Sequence, residues 1–337
     1  MRATTRQNYR YLFNRHLIPA LGNLLLAELD LPQLQATFDA MARVGRDTGP
    51  LSTSTLTRAR AALRTALNAA VRAGLIATNP VRGVELAAPP KPHPVVWTPA
   101  RIREWQATGK RPPVAVWTAT QTAHFLASIR SEPLHPAFRL AALRGLRRGE
   151  ISGLRWEDLD LDEGTLSVVR QLHRRDGQFI TCPPKSKAGT RTIALDEDTV
   201  SVLRTHAERR DQHGFVFTRA DGEPLSAERL SRLIRTYSDQ AGLPPVRFHD
   251  LRHGAASLAL AAGADLKVVQ DMLGHASIVL TADTYTSVLP ETARQAANDT
   301  AALIREAGRI VPGTRRPRRP EYPRRLEPEP EEFPEAA

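Results

Sequence analysis

GLRRGEISGLRWEDLDLDEGTLSVVRQLHRRDGQFITCPPKSKAGTRTIAL, residues 145–195, is the stretch whose reading decides the fold. It opens on a short helical segment around Arg147 and Glu150 and then changes period. GTLSVVRQL reads as a strand, Arg175-Asp176-Gly177-Gln178 as a tight turn, and QFITCPP as a second strand. After a turn at KSKAGT, RTIAL makes a third. Strands joined by such short turns must run antiparallel, so the segment predicts a small antiparallel sheet.

Outward from this sheet the pattern is helical on both sides. Asp196 is placed to cap DEDTVSVLRTHAER, and LSRLIRTYSDQAG sets Leu230, Leu233, Ile234 and Tyr237 on one face, which makes Tyr237 a core residue. HDLRHGAASLALAAG and ADLKVVQDMLGH each close on a glycine, Gly263 and Gly274. Upstream, QTAHFLASI and HPAFRLAALRG read as helices. Residues 5–40 read as two helices, broken at Pro19 and Gly22 and restarted with Asp30 as N-cap and Pro32 in the first turn. A further helix, from Ser52 to about Ala73, aligns Leu56, Leu63, Leu67 and Val71, and carries Arg58, Arg60, Arg64 and Arg72 with no acid. Between the halves, residues 87–118 are rich in Pro and Trp and predict a linker. Inside it VVWTPARIREW is echoed twenty residues later by AVWTATQTAHFL, each opening on Trp-Thr before a helix. The fold class expected is mainly α with a small antiparallel β-sheet (α+β). At 337 residues the chain has length for two domains.

The formal net charge of +11 favours an anionic partner, of which nucleic acid is the commonest. Residues 1–90 hold eleven arginines against five acids. The segment 311–337 alternates Arg-Pro with Glu-Pro, its six arginines cancel its six glutamates, and it predicts a disordered tail. The positive excess therefore belongs to the rest of the chain. Cys182 is the only cysteine, which excludes an intramolecular disulfide and a multi-cysteine zinc site. No apolar run approaches the ~18 residues of a membrane span, so the expectation is a cytoplasmic protein with no membrane partner.

A phosphodiester gains negative charge in its transition state, so an enzyme without metal must surround it with cations and donors. Arginine suits the task because its charge is permanent and its fork grips two oxygens. Arg147, with Glu150 three residues on, is one candidate; taken alone, Glu150 also fits a first-turn acid favoured by the helix dipole. In HDLRHG, His249 and Arg252 share a helical face. That pattern also fits a capping His with a surface Arg, or a His249–Asp250 metal pair. Lys185 and Lys187 lie in the turn between strands, in a chain with only five lysines, and an ammonium can release a proton where a guanidinium cannot. His275 follows Gly274. Tyr285 follows ten residues later and is the tyrosine set among polar residues, a nucleophile once a base and positive charge surround it.

Together GLRRGEISGLRWEDLDL, PPKSKAGTRTIAL, HDLRHGAASL, LGHASI and TADTYTSV resemble the tyrosine recombinase family of phage and plasmid integrases, in order and spacing, and are similar to integrases of actinobacterial mobile elements. The likeness implies a helical core-type DNA-binding domain over 1–86, the linker over 87–118, a catalytic domain over 119–310, and the tail. It implies a site-specific recombinase active in DNA integration, working through a 3′-phosphotyrosyl intermediate on Tyr285. By this likeness Arg147 and Arg252 clamp the phosphate and His275 adds a donor. His249 takes the tyrosine proton, Lys185 protonates the leaving 5′ oxygen, and Glu150 supports the arginine site. Arg58, Arg60, Arg64 and Arg72 would contact DNA.

No cofactor and no metal is expected. The partners implied are double-stranded DNA, a homo-tetramer on paired DNA sites, and accessory DNA-bending or directionality proteins, in a nucleoid-associated bacterial setting. Arg144 stands where the family often has Thr, and the chain starts almost at the core-type domain, with no room for an arm-binding one, so either this member does without that domain or the chain is truncated. The other readings are a catalytically idle DNA-binding regulator on the same scaffold, a topoisomerase IB-like enzyme that nicks and reseals, and a metal-dependent phosphohydrolase.

Overall fold

A computed structural model describes residues 3–44, 49–90, 92–175, 177–209, 213–278 and 290–310. The chain divides into two compact units, Met1–Pro92 and His93–Ala337.

The first unit is helical. Helix α1 (Ala3–Leu12) runs through a π-turn at Phe13–Leu17 into α2 (Ile18–Leu21), and α3 (Leu31–Arg43) and α4 (Thr53–Arg72) follow. Asp30 accepts the Gln33 amide at 2.8 Å and starts α3, with Pro32 in its first turn, while Ser52 caps α4. Helix α4 buries Leu56, Leu63 and Leu67 with Ala59 and Ala62 among them, and these share a core with Leu34 and Phe38 of α3. Burying each large apolar side chain stabilises the unit by about 1.5–3 kcal/mol.

The second unit begins inside the stretch expected to be a linker, and this corrects the expectation. Strand β1 (Val95–Val96), helix α5 (Pro99–Thr108) and strand β2 (Ala115–Val116) are packed elements, with Trp97 and Trp117 only 1% and 2% exposed in the core. Two indoles of this size are not left in water when a core is at hand. Helices α6 (Ala119–Ser128), α7 (His135–Arg144) and α8 (Arg148–Gly153) lead into strands β3 (Leu159–Asp160), β4 (Thr165–Val168), β5 (Gln171–Arg175), β6 (Gln178–Cys182) and β7 (Arg191–Ala194). The single strand expected over GTLSVVRQL is broken at Val169-Arg170. There Arg170 pairs with Asp158 at 2.5 Å and Glu157 at 2.8 Å, and the chain passes from one sheet to another. The sheet β3-β4-β7 and the hairpin β5-β6 are both antiparallel, whereas the short pair β1-β2 is parallel.

Helices α9 (Glu197–Glu208), α10 (Ala227–Gln240), α11 (Phe248–Ala261), α12 (Leu266–Leu273) and α13 (Pro290–Ile310) complete the described chain. Asp196 caps α9 and binds both Arg139 and Arg144, so Arg144 ties α7 to α9. Tyr237 is buried in the core and its hydroxyl donates to Glu132. Among the described residues no helix is long and apolar enough to cross a membrane. The segment 311–337, expected to be disordered, lies outside the described residues.

Candidate active site

Arg147 and Glu150 are held together by the way α8 begins. The Glu150 carboxylate accepts the Arg147 backbone N–H at 2.9 Å and its guanidinium at 2.7 Å, closing the first turn. Glu150 is buried, and Arg191 of β7 grips it from the other side at 3.0 and 3.3 Å. Burial alone raises a carboxyl pKa; here the Arg191 guanidinium foremost, then Arg147, outweighs it and holds Glu150 below its usual value. Arg191 also donates to the carbonyls of Met272 at 2.7 Å and Gly189 at 3.0 Å. One arginine thus joins the start of α8, the turn after Lys185 and the end of α12 beside His275.

Helix α8 reaches the hairpin because it presents glycine to it. A Cβ on Gly153 would lie 2.9 Å from the Leu172 nitrogen, and one on Gly149 3.2 Å from the Leu172 oxygen. Without those side chains α8 sits directly on β5. Gln171 of that strand donates to Pro183, which precedes the Lys185 turn, and His173 has its pKa lowered by burial and then by Lys185 and Arg148.

Helix α11 brings the second group. Its start is fixed by Asp250, whose carboxylate accepts the Arg247 backbone N–H at 2.9 Å and its guanidinium at 2.7–3.1 Å. Asp250 is therefore committed to Arg247, which does not fit the metal pair with His249. Arg252 is 2% exposed and donates to the Gly145 carbonyl at 2.7 Å and to the Leu273 carbonyl. His249 is exposed on the cleft. Desolvation by the surrounding protein, then His253, Arg252 and Arg147, still lowers its pKa to about 4. His275, buried after Gly274, is lowered to about 3 by burial and then by Arg252, Arg147, His253 and Arg191. Both rings are neutral near pH 7, able to accept a proton or to donate a single N–H.

Arg147, Glu150, Lys185 and His249 line one cleft of about 790 Å³, and Arg252 and His275 are close enough to act electrostatically on His249 or on the arginines. Lys187, Tyr237 and Cys182 are not among its lining residues. Tyr285 lies outside the described residues. In the first unit Arg58, Arg64 and Arg72 are exposed on α4, but Arg60 is half-buried and donates to the Val84 carbonyl at 2.5 Å, which gives it a structural task.

The sequence reading missed Arg191 and Arg111, the latter also on the cleft wall. Arg191 stands in TRTIAL, where strand alternation marks a side facing but not a carboxylate partner 41 residues away.

A model described as the phage integrase family matches residues 118–292. The tyrosine recombinase XerC-like protein of Caldanaerobacter subterraneus subsp. tengcongensis is 26% identical, over 77% of this chain and 67% of that protein. The tyrosine recombinase XerC of Xylella fastidiosa is 30% identical, over 75% of each. Among solved structures, the Tn1549 transposon integrase in complex with transposon right end DNA has a TM-score of 0.67 at 22% identity, over 89% of this chain and 95% of that one. A lambda integrase from a tetramer bound to a Holliday junction has a TM-score of 0.61 at 21% identity, over 85% and 73%. At these identities the two structures speak for a shared fold.

Proposed function

The chain belongs to the phage integrase family of site-specific DNA recombinases, and we propose that it cuts and rejoins DNA through a 3′-phosphotyrosyl intermediate on Tyr285. One observation carries this reading: Arg147, Lys185 and His249 share a cleft, with Arg252 and His275 near enough for their charges and rings to interact.

In the proposed step the Tyr285 phenol oxygen bonds to phosphorus while the bond to the 5′ oxygen breaks. His249, neutral because its pKa is pushed down to about 4, takes the phenol proton. Lys185 gives a proton to the departing 5′ oxygen. Arg147 and Arg252 bind the nonbridging oxygens, whose charge grows in the transition state, and His275 donates a third hydrogen bond. Glu150 keeps Arg147 in place. The phosphodiester energy is retained in the tyrosyl ester, so a 5′ hydroxyl of a second strand reverses the step and exchange follows. The partners are double-stranded DNA and further copies of this chain, four on paired sites; the similar lambda integrase forms a tetramer bound to a Holliday junction. Exposed Leu303 and Ile304 on α13 are consistent with contact between copies.

A substrate nicked beside the cleavage point loses the short fragment that bears the freed 5′ hydroxyl, and the covalent adduct is trapped. Tyr285→Phe is expected to abolish the adduct and to leave DNA affinity nearly unchanged in a gel shift. Adduct at the unmutated level in that variant overturns the assignment of the nucleophile.

A further inference from the structure

The Trp-Thr echo is a structural duplication. Strands β1 and β2 pair in parallel, Val95 with Ala115 and Val96 with Val116, so equivalent positions of the two copies lie side by side. In each copy the Trp is buried and the Thr caps the next helix, Thr98 accepting the Arg101 amide and Thr118 the Gln121 amide. The indoles do the same work twice: Trp97 donates to the Pro245 carbonyl at 3.2 Å and Trp117 to the Pro244 carbonyl at 2.9 Å. Pro245 lines the catalytic cleft and lies three residues before α11, the helix of His249 and Arg252.

The chain between the copies turns at Gly109, whose φ of 68° is left-handed, and is stiffened by Pro112 and Pro113. On it stands Arg111, exposed and lining the same cleft as Arg147, Lys185 and His249. Three other arginines of that wall are engaged: Arg147 with Glu150, Arg247 with Asp250, Arg148 with Ser231. Among the described residues Arg111 makes no hydrogen bond or ion pair. A guanidinium held at a cleft rim by a buried tryptophan clamp, and left without a carboxylate, is ready for an external anion.

We infer that the duplicated module is a DNA grip in which Arg111 binds a backbone phosphate flanking the scissile one. The inference rests on the proposed DNA-cleaving function of this cleft. Arg111 serves as a positioning residue: it sets the register of the duplex in the cleft and stands apart from the chemical step.

The test uses the full chain and the nicked substrate, with Arg111→Gln and Arg111→Lys beside the unmutated protein. Arg111→Gln is expected to weaken binding several-fold and to lower the slope of log affinity against log salt by about one unit. It should slow cleavage mainly at limiting DNA, with a smaller loss at saturation than the ~10²-fold expected when a transition-state donor such as Arg147 is removed. Arg111→Lys should restore most of the salt slope. A methylphosphonate replacing one flanking phosphate should weaken the unmutated protein and Arg111→Gln unequally. Equal salt slopes for Arg111→Gln and the unmutated protein, or equal losses at every methylphosphonate, would overturn the inference. If the unmutated protein forms no adduct at all, the cleavage reading itself has failed, an outcome separate from these.

Discussion

A carboxylate between two guanidiniums is the residue-scale feature that organises the site. Glu150 is 3% exposed, a location in which an unpaired charge is strongly disfavoured, and Arg147 and Arg191 together satisfy both of its oxygens. Because Arg191 also holds Met272 and Gly189, the position of Arg147 is coupled to the Lys185 turn and to the end of α12. The arginines have a second effect, on His275. Burial first, and then Arg252 and Arg147, lower its pKa from 6.5 to about 3, so on acidification the unfolded chain takes up this proton before the folded one. Stability must then fall as pH drops below about 6.5, with the loss from this group levelling off near its folded pKa. His249, lowered to about 4, contributes in the same direction. His275→Gln is therefore expected to show a shallower decline of the urea midpoint between about pH 7 and about pH 4, without becoming flat. A slope as steep as that of the unmutated protein would show that His275 is not held neutral by the fold.

At the scale of elements, glycine decides which secondary structures can touch. Gly149 and Gly153 were legible in the sequence only as part of a short helix, yet they let α8 lie on β5 and so bring Arg147 to the hairpin whose far end leads to Lys185. Gly274 was legible as a helix terminator, and it ends α12 with a φ of 66°. Its second function is close approach: a Cβ there would stand 2.6 Å from the Ala188 carbonyl oxygen and 2.9 Å from the Arg191 side chain. Gly263 ends α11 with a φ of 87° and has nothing within 4 Å of the same position. Gly263→Ala is expected to cost about 1 kcal/mol from backbone strain alone and to spare cleavage. Gly274→Ala should cost clearly more in urea unfolding and slow single-turnover cleavage, because the Lys185 turn and Arg191 must move. Equal stability losses in the two variants would refute the steric account.

Over the whole molecule the positive charge has distinct locations. The cleft of the second unit gathers arginines from several elements, and α4 of the first displays Arg58, Arg64 and Arg72 to solvent. If α4 meets DNA, Arg58→Ala or Arg64→Ala should flatten the salt dependence of binding by about one unit for each phosphate left without its guanidinium. Arg60→Ala should instead lower stability, since its partner is the Val84 carbonyl. Unchanged salt slopes for Arg58→Ala and Arg64→Ala would mean that those side chains face water in the complex. The helix order, the caps at Asp30, Ser52 and Asp196, the terminal glycines, the antiparallel hairpins and the cluster of motifs around Arg147, His249, Arg252 and His275 were all present in the sequence. Caps and periodicity act over a few residues, and the short motifs carry their chemistry in one run of chain. Tertiary structure alone decided that the tryptophans of the expected linker are core, that GTLSVVRQL divides between two sheets, and that Arg60 serves the fold. It also decided that Arg191 grips Glu150, 41 residues away, and that Arg111, far from the motifs in the chain, joins their cleft, because burial and long-range pairing depend on which distant surfaces meet.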